Sequence, residues 1–297
     1  MDYFGKFVYM IHCIDCDSAW SLDEEDLKKD RLSCHDPSCE AEFSIYDGIK
    51  KGLKVYEENA LQANSFLANY IFFHTIDVKI GFMKNCKLPE GVLRVHKVWA
   101  VPLENFSVGV SNITSEGFDV FTSLHENTDT SLFGLDAKVM LYINANMENY
   151  SATWMHLLQL SLKNLVDGDY STSILFAEIA FESFVDTFLF HGYLEKGELS
   201  EGEIYDLLED KKIPSKVNTL MKELYKTKLS KMDDWIGWET KVLRWRNQIA
   251  HGSRVLFDKE EAQYAYSLAV DAIFYFAENI DLYFKSIGEP NGLFYRT

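Results

Sequence analysis

Arg244-Trp245-Arg246-Asn247-Gln248-Ile249-Ala250-His251-Gly252 reads as the closing turns of a helix stopped by a glycine. The segments on either side have helical periodicity. Upstream, from Ser151 onward, apolar residues recur at about 3.6-residue spacing, and Ile174, Phe181, Val185 and Phe188 form one ridge. Downstream, Asp258 and Glu261 make an Asp-x-x-Glu capping box. Ala265, Leu268, Ala269, Ala272, Ile273 and Phe276 then supply the buried face of a long terminal helix, with Gly252 and Ser253 turning the chain between the two. Residues 151–297 are therefore expected to form an all-α bundle.

The quoted stretch also concentrates chemistry. Imidazole is the side chain best suited to proton transfer near neutral pH, and guanidinium is the best suited to gripping a phosphate through two parallel hydrogen bonds. On an ideal helix Asn247 and His251 are i,i+4 neighbours, and Arg244 lies on the same face two turns before His251. Arg246 lies well around the cylinder and reaches the same ligand only through its length. The bland reading is a helix C-terminus with a histidine that complements the dipole ahead of a glycine cap.

The run Arg246-Asn247-x-x-x-His251 resembles the Arg-x4-6-His signature of HEPN-superfamily ribonucleases, and Arg244 satisfies the longer spacing. The resemblance implies a metal-independent endoribonuclease in which two such motifs face each other across a homodimer. His251 would act as general acid or base on a ribose 2′-hydroxyl attacking its own phosphate. Arg246 would stabilise charge on the phosphoryl oxygens, and Asn247 would orient one or the other. The products would be a 2′,3′-cyclic phosphate and a 5′-hydroxyl. The family also implies a toxin or antiphage abortive-infection effector with RNA as substrate and with an antitoxin or trigger protein as partner. The rival expectations are a non-catalytic HEPN scaffold or nucleotide-binding module, and a zinc-ribbon regulator of a larger complex. The aromatic terminal helix (Tyr264, Tyr266, Phe274, Tyr275, Phe276) is expected to supply the dimer interface.

At the other end, Cys13-x2-Cys16 and Cys34-x4-Cys39 bring four of the five cysteines within 27 residues. Two knuckles of this kind can complete a tetrahedral thiolate shell, and Phe7–Ile11 and Ala41–Ile45 have strand composition. The segment resembles a zinc ribbon over residues 1–45, which implies a structural zinc and no catalytic metal. His12 and His35 are alternative ligands, and two disulfides are the competing account. Cys86 stands apart as a spare thiol.

Residues 46–150 are expected to be β-rich, from the alternation in Leu93–Val98, Phe106–Val110 and Phe118–Thr122 and the apolar run Val139–Ile143. His74, His96 and His125 fall there without metal spacing. The fold class expected is thus a multidomain α+β chain: zinc ribbon, β-rich middle and HEPN-like bundle.

The net charge of −17 argues against indiscriminate nucleic-acid binding, yet from Lys211 to Arg254 eleven basic residues face four acidic ones, a local balance of +7. In the bundle, Glu178, Glu182 and Asp186 make a narrow acidic line at four-residue spacing. That line either orients the Arg/His motif or is a solvated face, the simpler of the two readings. No apolar run approaches a membrane span and Met1-Asp2-Tyr3-Phe4 lacks a signal-peptide pattern, so a cytoplasmic protein with no membrane partner is expected. Gly-rich phosphate loops, His-Glu-x-x-His and Gly-x-Ser-x-Gly are absent from the sequence.

Overall fold

The computed structural model describes residues 10–16, 18–22, 26, 29–56, 70–103, 105–114, 116–124, 130–147 and 152–288. Phe7, Val8, Tyr9 and His125, which figure in the sequence expectations, lie outside this set. The chain is mixed α and β, with a β-rich middle and a helical C-terminal region. It divides into two compact units: one draws on residues 9–63 and 151–297, the other on 64–150.

The β unit pairs β5 (Tyr70–Lys79), β10 (Asp136–Met147) and β7 (Val92–Pro102) in one antiparallel sheet. A second antiparallel sheet pairs β6 (Met83–Lys87), β9 (Gly117–Ser123) and β8 (Ser107–Ser111). Alternate residues of β5 and β10 (Ile76, Val78, Val139, Leu141, Ile143) share one core with Cys86, Phe118 and Val120 of the second sheet. Cys86 is a packing residue in that core. Over Asp136–Leu141 of β10 exposed and buried residues alternate strictly, as period-2 geometry requires.

The other unit begins with two small hairpins. β1 (Met10–His12) pairs β2 (Ala19–Ser21), and β3 (Leu32–Ser33) pairs β4 (Glu42–Phe43). Helix α1 (Ile45–Tyr56) follows. It occupies sequence expected to belong to the β-rich middle, yet it packs in the unit that holds the cysteines and the bundle. Its Lys54 reaches Asp271 of the terminal helix at 2.8 Å, and Lys285 of that helix reaches Asp30 at 2.6 Å. The amino-terminal segment and residues 151–297, divided in two by the sequence reading, are thus parts of one compact body with the β unit inserted between them.

In the bundle, α2 (Thr153–Asp167) and α3 (Tyr170–Lys196) form an antiparallel hairpin. Gly168 closes α2 at a φ of 84°, a conformation that favours glycine, and the Asp169 side chain caps α3 by accepting from Thr172 N at 3.2 Å. Then come α4 (Glu201–Glu209) and the composite helices α5 (213–225) and α6 (235–250). Each composite carries a widened π turn, Lys216–Leu220 in α5 and Trp238–Val242 in α6. Terminal helix α7 (Lys259–Ser286) begins at the expected capping box, with Glu261 N donating to Asp258 at 2.8 Å.

The ridge Ile174, Phe181, Val185 and Phe188 is fully buried, as is the anticipated face of α7. The aromatic interface expected on α7 is not there: Tyr266, Phe274 and Phe276 are buried inside the bundle, and Tyr264 and Tyr275 are half-buried. These rings pack inward because α7 is enclosed by α1, α3 and α6, so their abundance reports core volume rather than a contact surface. No described helix is long and apolar enough to cross a membrane.

Gly48 marks where the cysteine segment meets α1. A Cβ there would stand 2.2 Å from Ile11 Cγ1 and 2.8 Å from Phe43 Cε2, both buried. Gly48→Ala is expected to destabilise this unit by about 1–3 kcal/mol, the usual cost of overpacking. Thermal unfolding checks this; an unchanged midpoint would mean that the hairpins do not pack on α1 as described.

Candidate functional site

Two sites emerge, both in the unit that contains the bundle. The first is the cysteine cluster. Cys13 and Cys16 flank the turn between β1 and β2, and Cys34 and Cys39 flank the turn between β3 and β4. Each turn is closed by backbone hydrogen bonds, Cys13 N to Ser18 O at 2.9 Å and Cys34 N to Ala41 O at 3.0 Å. Cys39 N likewise donates to Asp36 O at 3.0 Å. The four sulfurs all lie within 4.8 Å of one another, with Cys13 and Cys39 3.7 Å apart and Cys16 and Cys34 3.5 Å apart.

These separations exceed the S–S bond of about 2.05 Å, and the cysteines are free. They match instead the edge of about 3.8 Å that four sulfurs make around one ion at about 2.3 Å. The cluster is therefore able to hold a metal ion. Neither histidine joins it. His35 stacks on Trp20 with ring centroids 4.2 Å apart, and His12 is buried. Among the described residues this is the single group with metal-ligand geometry, and His74 and His96 belong to no such group.

The second site is the end of α6. Its inner face places Trp238, Val242 and Trp245 in the core, Trp238 against Phe181 of α3 at 4.5 Å between ring centroids. Once these apolar residues fix the rotation of the helix, the polar ones follow. Arg244, Asn247 and His251 are exposed. Arg246 turns toward α3, where its Nε stands 3.3 Å from Glu178 Oε2. Its Nη1 donates to Asn247 Oδ1 at 3.2 Å. His251 ends the helix, its backbone N–H donating to Asn247 O at 3.0 Å, and its exposed ring makes no hydrogen bond or ion pair among the described residues. Contacts thus join Arg246 with Asn247 and Glu178, while the His251 ring stands alone at the helix end.

Glu178 overturns the solvated-face reading of the acidic line, because its side chain is 1 % exposed. The ion pair is offset from hydrogen-bond alignment, and neither Glu178 oxygen nor Arg246 Nε has an aligned hydrogen-bond partner. Burial, helped by the charge on Glu182 one turn along α3, pushes Glu178 up to about 8 against the pull of Arg246. The carboxyl therefore holds a proton more readily than an ordinary glutamate, and Arg246, 36 % exposed, is open to a ligand. Of the remaining line, Asp186 binds Lys216 at 2.6 Å.

Arg254, three residues past His251, is taken up structurally: its two terminal nitrogens clamp Glu261 at 2.8 and 2.6 Å and its guanidinium lies over Phe257. In the basic stretch Lys222 and Lys226 are exposed and Lys228 is half-buried, but Lys216 is buried against Asp186. The π turn in α6 carried no pattern in the sequence that separated it from ordinary helix.

A carboxyl whose pKa is higher in the folded than in the unfolded chain loses folding stability as pH rises from its ordinary 4.5 through about 8, because the native state then has to give up a proton it holds more tightly. Melting temperature followed across that range should fall in the wild type and stay flatter in Glu178→Gln. Parallel slopes would mean that Glu178 is ionised in the folded protein. Compared with protein-family models, curated proteins and solved structures, the chain matches none, so the reading of both sites rests on their geometry.

Proposed function

We propose that the chain is a metal-independent endoribonuclease of the HEPN type, with Arg246, Asn247 and His251 as its working residues and the cysteine cluster as a zinc-ribbon-like structural zinc site. The observation that carries this reading is the pairing of Arg246 with a carboxyl buried to 1 % exposure at the end of a helix that also presents Asn247 and His251. A buried carboxyl beside an arginine costs stability that an apolar pair would not, and perturbed groups of this kind concentrate at functional sites.

His251 takes the proton of a ribose 2′-hydroxyl, the freed oxygen attacks the adjacent phosphorus, and the 5′-oxygen leaves with a proton returned by an acid. A second copy of the motif in a homodimer supplies that acid in its own His251. Arg246 lies against the phosphoryl oxygens as negative charge builds, held in place by Glu178 and Asn247. Arg246 takes precedence over Arg244 because Glu178 anchors it, whereas Arg244 is an exposed side chain. The exposed lysines from Lys211 onward offer RNA a positive approach in an acidic chain.

The four thiolates suit zinc, a borderline-soft ion that takes tetrahedral sulfur shells, and four protein ligands close the shell against substrate. A toxin or antiphage abortive-infection effector acting in the cytoplasm, restrained or released by an antitoxin or trigger protein, is the setting that fits such an enzyme.

His251→Ala should abolish cleavage of total cellular RNA with the fold intact, since general acid–base groups contribute about 10²–10⁴-fold. Arg246→Ala should be impaired comparably and Arg244→Ala much less; fragment ends should carry 2′,3′-cyclic phosphates. A His251→Ala protein that cuts RNA at the wild-type rate would move the assignment to a non-catalytic scaffold.

Elemental analysis should find about one zinc per chain, lost in Cys13→Ser, because one tetrahedral shell uses all four thiolates. A stably folded protein free of metal would rule the zinc site out.

A further inference from the structure

An open cleft of about 740 Å³ runs along α3 on the flank that Glu178 begins, bordered by α4 and by Lys216 of α5. Glu182 lies in it, one helical turn beyond Glu178 and so on the same side of α3 as the carboxyl that holds Arg246. A further turn along, Asp186 Oδ1 accepts from Lys216 Nζ at 2.6 Å, and the Lys216 side chain is only 10 % exposed. Asp186 itself is 41 % exposed, so the pair stands at the cleft surface with only its lysine buried. The rings of Phe190 and Tyr205 lie 4.9 Å apart along one wall, and Tyr205 is 62 % exposed. Glu209 adds a third carboxylate. Burial holds the His191 imidazole below its ordinary pKa, so at neutral pH the cation among the lining residues is Lys216, already paired.

The chemistry of these walls selects a ligand. Three carboxylates against one neutralised ammonium disfavour a phosphate and favour hydrogen-bond donors. An exposed tyrosine ring on the wall of a cleft offers a face on which a flat heterocycle can stack, the usual way proteins hold unpaired bases. Among the RNA bases, guanine presents two adjacent donors, N1–H and N2–H, that the two oxygens of one carboxylate can accept in plane. Uracil presents one donor between two carbonyls, which a carboxylate repels. Asp186 is engaged by Lys216, and of Glu182 and Glu209 it is Glu182 that lies one turn from Glu178 on α3, nearest the Arg246 contact.

We propose that the cleft between α3 and α4 is a nucleobase subsite selective for guanine, with Tyr205 stacking on the base and Glu182 accepting from its N1–H and N2–H. The link to RNA cleavage rests on the ribonuclease reading: a substrate with its phosphate at Arg246 would lay a neighbouring base along α3. The cleft then decides where RNA is cut, while Arg246 and His251 decide whether it is cut.

Calorimetric titration of the full chain with guanosine and uridine 3′-monophosphates tests this. Wild type should bind the guanosine ligand at least about tenfold tighter, given the cost of leaving donors or acceptors unmatched in a polar site. Tyr205→Ala should weaken it by about tenfold or more through lost stacking. Glu182→Gln should narrow the difference between the two ligands, and His251→Ala should leave that difference in place. Tyr205 is exposed, so its variant should keep the wild-type melting temperature. Equal affinity for the two ligands, or an unchanged affinity in Tyr205→Ala, overturns the subsite. RNA cut without base preference in a His251-dependent way would leave the ribonuclease standing and remove the subsite. Guanine-selective binding by a chain that cuts no RNA would keep the cleft as a nucleotide site and remove the nuclease.

Discussion

Helix α3 buries one face against its neighbours along most of its length, and that burial sets the terms for everything around it. Ile174, Phe181, Val185 and Phe188 are fully buried, and burying apolar side chains of this size is worth about 1.5–3 kcal/mol each. A polar group placed on such a helix has to find a partner from another element or border a cavity. Glu178 finds Arg246, Asp186 finds Lys216, and Glu182 borders the cleft. The polar chemistry of the bundle is thus organised by the one element that tolerates it least. In α6, Trp238 and Val242 both enter the core just before the helix presents its polar residues.

The cysteine segment depends on that frame as well. Two hairpins of two or three residues per strand have little cohesion of their own. A shared metal shell would tie their turns, and α1 ties their bases through the close approach at Gly48. From α1 the connection passes to α7 through Lys54 and Asp271, with Lys285 and Asp30 as a second tie. The ion pairs are partly exposed and contribute little stability alone, but they fix register between elements far apart in sequence.

Much of this was legible before the structure. The cysteine spacing named all four members of the cluster, because two closely spaced cysteine pairs are a strong local pattern. The strands of the middle and the buried faces of α3 and α7 followed from periodicity, and the capping box at Asp258 from local hydrogen-bond logic. Helix α1 escaped notice because Gly48 and Gly52 interrupt the Ile45, Ile49, Leu53 repeat that marks its buried face. The aromatic residues of α7 were read as surface because composition says nothing about how many neighbours enclose a helix. Arg246 and Arg244 could not be ranked from spacing, since the deciding contact, Glu178, lies 68 positions away in sequence. The cleft under Tyr205 depends on the α3–α4 packing angle, which no local pattern encodes.

Inserting the β unit between α1 and α2 has a consequence for the order in which the molecule is made. The strands from β5 to β10 are contiguous in sequence and can close their core as soon as they leave the ribosome. The cysteine hairpins and α1 emerge earlier, yet their partner, α7, spans Lys259–Ser286. At a synthesis rate of about 5–20 residues per second that interval is on the order of tens of seconds. Through all of it the hairpins have α1 to pack on, but α1 lacks the helix that its Lys54 engages at Asp271. Completion of the last helix is therefore the event that ties α1 and the cysteine segment to the bundle, through Lys54 with Asp271 and Lys285 with Asp30.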